Sequence, residues 1–328
     1  MISRRDLLHA GLAALAVAPF SRASASGSRE KVLFDTDIGS DIDDAVALAY
    51  LLTQPRCELL GITTVSGEAV KRAELASVLC RAAGKSRMPI LPGAERPLLV
   101  EPRQPVASQF ERIGTWRRQQ RFPEAGAVEF LRTTIRRHPH EITLLAVGPL
   151  TNVALLCRID PEAVALLKEI VLMAGVFAPH GVTWPDGNVS RAEWNVVLDP
   201  QAAAIVLQMA SVPIRMYPLD VTMQVVLSRD DFHARLERSP ATRPVLDFAR
   251  AWFVDERRES QLHDPLAATG VFEPSICELA RGRVAVNLED DDDFARTTFV
   301  ADAAGHHQIA VRVDTPRFFG ELFGRISG

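Results

Sequence analysis

Residues 31–52 read KVLFDTDIGSDIDDAVALAYLL. The pattern predicts an apolar strand, then an acidic turn, then an apolar helix that begins at Asp43 or Asp44. Five aspartates fall within ten residues of this stretch, namely Asp35, Asp37, Asp41, Asp43 and Asp44. So many anions in one turn repel one another unless a cation lies among them. The stretch therefore indicates a site for a hard metal ion.

A single aspartate at the start of a helix is most often a cap, because its carboxylate accepts backbone N–H bonds and suits the positive end of the helix dipole. One or two of the five are expected to act in this way. Capping does not explain all five, since their mutual repulsion would destabilise the fold. Calcium takes roughly six to eight oxygen ligands in a tolerant geometry, which an acidic turn between a strand and a helix can supply.

Strand and helix patterns alternate from residue 31 to about residue 217. Further strands are predicted at residues 57–65, 88–91, 142–147, 169–174 and 212–217, and further helices at residues 69–83, 124–137, 150–156 and 201–209. The run ITLLAV at residues 142–147 is apolar throughout, which is typical of a parallel strand buried on both faces. We therefore expect one α/β domain with a doubly wound, open and mostly parallel sheet flanked by helices.

The other segments are less regular. Residues 94–123 are rich in proline and predict a surface excursion, and residues 177–194 predict a polar loop. Residues 228–261 predict two helices, an interruption follows at residues 263–265, and strand-like pieces occur at residues 297–301 and 308–313. Ligands of doubly wound sheets bind beyond the carboxyl ends of the strands, where the acidic turn, Gly148, Gly175 and His263 are expected.

The N-terminus has the three parts of an export signal. Arg4 and Arg5 are followed by an apolar run at residues 10–20 and by Ala23-Ser24-Ala25, a cleavage pattern. The whole resembles a twin-arginine signal, and the apolar run is shorter than the roughly 20 residues that span a membrane. We expect residues 1–25 to be removed, leaving a mature domain of residues 26–328 that is periplasmic or secreted and is not membrane-bound.

Composition limits the choice of partners. The chain has 328 residues, 47% of them hydrophobic, with a formal net charge of −4 and 6% aromatic residues. Without a basic block, this composition does not favour a nucleic-acid or membrane-surface binder, so a small molecule is the expected partner. Four scattered cysteines have no metal-binding spacing and are expected to pack in the core without an essential disulfide.

Six segments, in this order, resemble the inosine–uridine-preferring nucleoside hydrolase family: DTDIGSDIDDA, GITTVSG, LLAVGPLTNVALL, EIVLMAG, GNVSRAEWNVVLDPQAA and HDPLAA. They extend from about residue 31 to about residue 270. The resemblance implies an open α/β sheet, a homo-oligomer, and a calcium-dependent N-ribohydrolase that cleaves a nucleoside into base and ribose. His263 and Asp264 alone would more often be a surface imidazole and a cap, and it is the combination of motifs that favours a site.

The resemblance also implies roles for individual residues. Asp37, Asp44, Asp264 and the backbone carbonyl of Val147 match the calcium ligands, and Asp37 also matches the base that deprotonates the metal-bound water. The residues that match contacts to the substrate are Asp43, Met173, Asn188, Glu193, Asn195 and Asp264. His263 matches the histidine proposed to protonate the departing base, and Asp35 is expected to support the site.

Three positions depart from the family pattern. The acidic turn is two residues longer than the common D-x-D-P-G-x-D-D and has Ile38 at the usual proline, so either Asp41 or Asp43 could hold the ribose, with Asp43 favoured. Glu68 stands where asparagine is common, and its carboxylate is expected to accept from a ribose hydroxyl or to suit a different sugar or base. The stretch from Asn188 to Glu193 is one residue shorter than the spacing that is common in the family.

The required chemistry agrees with these roles. Cleavage of an N-glycosidic bond passes through an oxocarbenium-like state that needs a nucleophile, stabilised charge on the ribose and help for the departing base. Two other functions are less compatible with the sequence. A haloacid-dehalogenase-type phosphatase also has D-x-D after a strand, but Gly39 stands where it needs Thr or Val. A non-catalytic periplasmic nucleoside-binding protein would have no need of Asp37, Asp44 and Asp264.

Overall fold

The computed structural model describes residues 29–123, 126–254, 259–289 and 292–327. The predicted export signal lies outside these residues. The strands are β1 (Glu30–Thr36), β2 (Cys57–Thr64), β3 (Ile90–Pro92), β4 (Ile142–Ala146), β5 (Glu169–Met173), β6 (Val182–Thr183), β7 (Val189–Ser190), β8 (Ile214–Tyr217), β9 (Val226–Ser228), β10 (Glu259–Gln261), β11 (Cys277–Val286), β12 (Thr297–Ala301) and β13 (His307–Val313).

The helices are α1 (Asp43–Thr53), α2 (Ala69–Ala82), α3 (Ala127–Arg137), α4 (Thr151–Ile159), α5 (Pro161–Ala165), α6 (Trp194–Leu198), α7 (Pro200–Met209), α8 (Leu219–Thr222), α9 (Arg229–Leu236), α10 (Arg243–Trp252), α11 (His263–Phe272) and α12 (Thr315–Ile326). In the described part of the chain no helix is long and apolar enough to cross a lipid bilayer. The four cysteines are buried free thiols.

A nine-stranded sheet in the described residues has the order β12-β11-β13-β8-β5-β4-β1-β2-β3. The seven strands from β13 to β3 in that order pair in parallel, whereas β11 and β12 are antiparallel. Val32, Leu33 and Phe34 of β1 are fully buried because helices cover both faces of the sheet. The predicted open, mostly parallel α/β domain is confirmed.

The direction of strand order reverses between β1 and β4. The chain proceeds from β1 outward to β2 and β3, returns to β4 beside β1, and continues outward to β5 and β8. Helices that follow two adjacent strands then lie on opposite faces, which leaves a crevice at the carboxyl ends of those strands. The acidic turn after β1 and the Val147–Gly148 segment after β4 both enter this crevice.

In the C-terminal half the structure differs from the predicted elements. The interruption expected at residues 263–265 is instead the first turn of α11, because Pro265 stands where an N–H has no acceptor within the helix. Strand β11 was missed. Its side chains are partly exposed along much of its length, so it lacks the continuous apolar run of the parallel strands.

Candidate active site

A cavity of about 410 Å³ opens at the carboxyl ends of β1, β4 and β5. Asp37 follows β1, Val147 follows β4 and Met173 ends β5, and all three line the cavity. Asp43 and Asp44 enter from the first turn of α1, and Asp264 enters from the first turn of α11. Strand ends and helix starts therefore converge on one space.

Three carboxylates form the tightest group in the cavity. Asp43, Asp44 and Asp264 each offer one oxygen, and these oxygens lie within 4.8 Å of one another. The three side chains are buried, and helices α1 and α11 that carry them pack together. The backbone N–H of Asp264 donates to Asp43 Oδ2 at 2.9 Å, and the Thr36 hydroxyl donates to Asp44 Oδ1.

Burial, and then repulsion by neighbouring carboxylates, raises the pKa of Asp43, Asp44 and Asp264 well above the ordinary range. Buried carboxylates this close stay ionised only where a cation balances them. The donor set consists of hard oxygens, which are the ligands that calcium and magnesium prefer. The three residues therefore fit a divalent hard cation.

Asp37 lies in the same cavity but is held separately. Its Oδ2 accepts a hydrogen bond from Gln104 Nε2. On its other side, a Cβ added to Gly148 would lie 2.7 Å from Asp37 Oδ1, so only glycine allows this approach of the β4 end. Burial raises the pKa of Asp37, and the charge of Arg72 acts in the opposite direction.

Arg72 is fully buried beneath the acidic turn. Its guanidinium donates to the main-chain oxygen of Asp37, to Ser40 Oγ at 2.9 Å and to the Gly67 carbonyl at 2.8 Å. A buried guanidinium with several acceptors provides a fixed positive charge beside the carboxylates. Arg72 was not predicted, because one arginine in a helix carries no local signal of this role.

Glu193 and Asn195 line the cavity at the start of α6. Glu193 caps this helix by accepting from the backbone N–H of Asn195 at 2.7 Å and of Val196 at 3.1 Å, and it also accepts from that of Gly175 at 3.3 Å. Burial raises the pKa of Glu193 to about 7. Its carboxylate is thus held by three backbone donors at the place where the resemblance expects the sugar.

The side-chain amide of Asn195 joins the ends of two strands. Its Nδ2 donates to the Val147 carbonyl at 2.7 Å and to the Met173 carbonyl at 3.1 Å. A carbonyl oxygen has two lone pairs, so the Val147 carbonyl keeps one for a second partner. The expected metal-ligand carbonyl and the expected sugar contact are therefore in direct contact.

His263 also lines the cavity. Its Nδ1 lies 2.7 Å from Thr222 Oγ1, and its ring meets the edge of the Trp184 ring at a centroid distance of 6.0 Å. Burial lowers the pKa of His263 to about 4, so the imidazole is neutral at neutral pH. Trp184 and Trp252 also line the cavity and, with His263, give it an aromatic surface, whereas Trp194 lines it beside Glu193 and Asn195.

The structure does not bring two predicted substrate contacts to the cavity. The Glu68 carboxylate instead binds Lys71 Nζ at 2.5 Å and accepts from the backbone N–H of Ala107 at 3.0 Å. Asn188 is exposed in the turn between β6 and β7, where its Nδ2 donates to Asp186 Oδ2 at 2.8 Å. Local partners satisfy both side chains away from the crevice.

The remaining aspartates of the acidic turn differ in placement. Asp35 is fully buried, and its Oδ1 accepts from Thr63 and, at 2.8 Å, from Asn152 Nδ2, which suits the expected supporting role. Asp41 lines the cavity together with Asp43. Gln109, a fully buried residue of the proline-rich segment, donates to the Asp41 carbonyl at 2.7 Å.

Comparison with known proteins gives one consistent result. The family model described as inosine-uridine preferring nucleoside hydrolase matches residues 32–320. The inosine-uridine preferring nucleoside hydrolase of Crithidia fasciculata is 30% identical over 89% of this chain and 95% of its own length. The non-specific ribonucleoside hydrolase RihC of Escherichia coli O7:K1 is 31% identical over 88% of this chain and 96% of its own length.

The same likeness is found among solved structures. The plant nucleoside hydrolase PpNRh1 superposes with a TM-score of 0.77 at 27% identity, covering 91% of this chain and 99% of that chain. Matches of this extent in sequence and in fold exclude the phosphatase alternative. The chain belongs to the inosine–uridine-preferring nucleoside hydrolase family and is an N-ribohydrolase that acts on the N-glycosidic bond of ribonucleosides.

Proposed function

We propose that the protein is a calcium-dependent ribonucleoside hydrolase in which Asp37 takes the proton of the attacking water. The observation that carries this proposal is the arrangement of one cavity. A buried carboxylate cluster, a separately held carboxylate at Asp37, polar groups at Glu193 and Asn195, and an imidazole with aromatic neighbours all face the same space.

Asp37, Asp44, Asp264 and the Val147 carbonyl would hold the ion, and Asp43, which belongs to the buried carboxylate cluster, would be a further ligand. Calcium bound there would supply positive charge that orients a water molecule and lowers its pKa. Asp37 is suited to accept the proton, because its carboxylate reaches the cavity while main-chain and side-chain groups fix its position.

The sugar would lie between the carboxylate cluster and α6. Glu193, Asn195 and one of Asp41 and Asp43 offer the acceptors and donors that ribose hydroxyls need, and Met173 supplies an apolar contact. The negative charge of the carboxylates among these groups stabilises an oxocarbenium-like sugar more than the neutral nucleoside, which is the condition for catalysis.

The base would lie at the aromatic end, where the flat rings of Trp184 and Trp252 suit a nucleobase. His263 is neutral there. With the Thr222 hydroxyl donating to Nδ1, the ring proton is on Nε2 and can be donated as a hydrogen bond to the departing base. We also propose that the mature protein is exported and forms homo-oligomers.

A turnover assay tests the proposal. The mature chain, residues 26–328, is incubated with inosine, uridine, adenosine or cytidine, and free ribose is measured with calcium, with a chelator, and after calcium is restored. We expect ribose release from at least one nucleoside, loss of release with chelator, and recovery with calcium. Binding of nucleosides without release of ribose would support the binding-protein alternative instead.

Asp37→Asn tests whether Asp37 is the general base that takes the proton of the attacking water. The substitution keeps the shape of the side chain and removes its basicity, so kcat should fall by about 10²- to 10⁴-fold. Asp230→Asn, at an exposed position in α9, is the matched control and should keep wild-type kcat. Equal rates for wild type and Asp37→Asn would show that another group takes the proton.

A further inference from the structure

Gln104 reaches the cavity from the proline-rich segment, which no sequence motif connects with the site. Its Nε2 donates to Asp37 Oδ2, and its Oε1 accepts from the indole N–H of Trp194 at 2.9 Å. An indole N–H is only a donor, so the oxygen of the amide must face Trp194 and the NH₂ group must face Asp37. Trp194 thus determines which end of the amide Asp37 meets.

The backbone that carries Gln104 is anchored to the turn between β2 and α2. Ser66 Oγ donates to the Gln104 carbonyl at 3.2 Å. Pro105 packs so closely on Gly67 that a Cβ there would lie 2.4 Å from the Pro105 Cα. Since Pro105 also restricts the backbone of the preceding residue, the starting point of the Gln104 side chain is well defined.

Two charged residues complete this anchor. Glu68 accepts from the backbone N–H of Ala107 at 3.0 Å, and Arg72 reaches the Val106 carbonyl at 3.4 Å while it also binds the acidic turn. The Glu68 departure from the family pattern therefore has a structural consequence. A carboxylate at this position secures the segment that delivers an amide to Asp37.

A carboxylate needs such support because the terminal torsion of aspartate has a broad energy minimum. Asp37 Oδ1 lies against Gly148, and Asp37 Oδ2 is bound by Gln104, so the carboxylate is held from both sides. A hydrogen bond to one oxygen fixes the plane of the group and leaves the other lone pairs directed at a reactant.

We propose that Gln104 is a positioning residue for Asp37, and that Trp194 sets the orientation of the Gln104 amide. This inference rests on the proposed function, in which Asp37 takes the proton of the attacking water. Trp194 lies between Glu193 and Asn195 in the chain. The same helix start that would contact the sugar therefore also holds Asp37, the general base, in place.

The test measures kcat and KM at saturating calcium for Gln104→Leu, Gln104→Glu, Trp194→Phe and the Gln104→Leu/Trp194→Phe double variant. Loss of an outer hydrogen-bond partner should lower kcat of Gln104→Leu by about 10- to 100-fold, with KM within about twofold of wild type. Gln104→Glu keeps the size but replaces the donor with an acceptor, so its kcat should fall at least as far.

Trp194→Phe keeps an aromatic ring but removes the indole donor, and it should lower kcat by about 3- to 10-fold, the effect of one neutral hydrogen bond. The double variant should match Gln104→Leu alone, because Trp194 acts through Gln104. A purely structural role would give additive losses. Gln119→Leu, in the same segment but outside the cavity lining, is the matched control and should behave as wild type.

The outcomes separate the two proposals. Absence of ribose release by the wild-type protein would refute the proposed function before any variant is measured. Release by wild type with an unchanged kcat for Gln104→Leu and Gln104→Glu would refute the positioning role alone. A raised KM with unchanged kcat would also refute it, since Gln104 would then bind substrate and not position Asp37. Because Trp194 is 49% exposed, Trp194→Phe should fold even if Gln104→Leu folds poorly, and an unchanged kcat in Trp194→Phe would then refute the role of Trp194.

Discussion

At the scale of single residues, the aspartates of the site have unequal surroundings. Asp35 is bound by neutral donors, Asp37 is held between Gly148 and Gln104, and Asp43, Asp44 and Asp264 share one small volume. Burial of the last three without a counter-ion costs folding free energy, which is visible in their raised pKa values. The carboxylates that suit a bound cation therefore destabilise the metal-free fold.

Asp44→Asn tests this opposition between function and stability. The amide oxygen can still accept from the Thr36 hydroxyl, but one buried negative charge is removed. In chelator the variant should be more stable than wild type by about 1 kcal/mol or more, the equivalent of one unit of pKa. Urea unfolding with and without calcium measures this difference.

Calcium should stabilise the two proteins to different extents. An ion that binds only the folded state stabilises it by mass action, so wild type should gain stability as calcium is added and Asp44→Asn should gain far less. If Asp44→Asn were less stable than wild type in chelator, repulsion within the cluster would not be the dominant effect.

At the scale of elements, the site depends on how closely the ends of β1 and β4 approach. Gly148→Ala would place a Cβ 2.7 Å from Asp37 Oδ1 and 3.0 Å from the Asp37 backbone nitrogen. Since the backbone cannot move freely, the Asp37 carboxylate must shift, and a displacement of about 1 Å can cost about 10²-fold in rate. We expect kcat to fall to that extent while the far-ultraviolet circular dichroism spectrum is retained.

Gly320→Ala is the matched control for that substitution. Gly320 lies in α12, and a Cβ there meets no atom within 4 Å. Alanine is a better helix former than glycine, so activity should stay at the wild-type level with equal or greater stability. Wild-type activity in Gly148→Ala would mean that the acidic turn adjusts to the added methyl group.

The strands and helices also show which parts of the fold and of the site can be predicted from sequence. The parallel strands were predicted because burial on both faces requires continuous apolar runs, and most of the strand-end motifs meet because these strands end at one edge. Gln104 and Arg72 were missed because their partners are distant in sequence. Glu68 and Asn188 lie outside the cavity lining, with partners such as Lys71 and Asp186 that motif position does not reveal.

At the scale of the whole molecule, the sheet continues beyond the site. Strand β13 pairs in parallel with β8 and antiparallel with β11, which joins the C-terminal hairpin to the parallel sheet. His307 lies at this junction. Its Nδ1 accepts from the Val284 backbone N–H at 2.8 Å, and its Nε2 lies 3.1 Å from the Leu207 carbonyl, so one side chain links β11, β13 and α7.

These two bonds require a neutral imidazole, because Nδ1 must accept while Nε2 donates. Burial, and then the neighbouring His306, lowers the pKa of His307 to about 4 from an ordinary 6.5. Between these pH values the unfolded chain binds a proton that the folded chain does not bind. His307 should therefore make the protein less stable as pH falls from about 6.5 to about 4, by at most about 3 kcal/mol.

His307→Asn isolates this contribution, since the asparagine oxygen can still accept from the Val284 N–H but does not take up a proton. The free energy of unfolding of both proteins is measured in urea at pH 7 and at pH 4.5. Wild type should exceed His307→Asn by more at pH 7 than at pH 4.5. The difference should shrink or change sign at pH 4.5, because only wild type loses stability through protonation of His307. A gap of constant size for His307→Asn would show that His307 takes up its proton equally in the folded and unfolded chains, and the junction of the two halves of the sheet would then not be sensitive to acid through this residue.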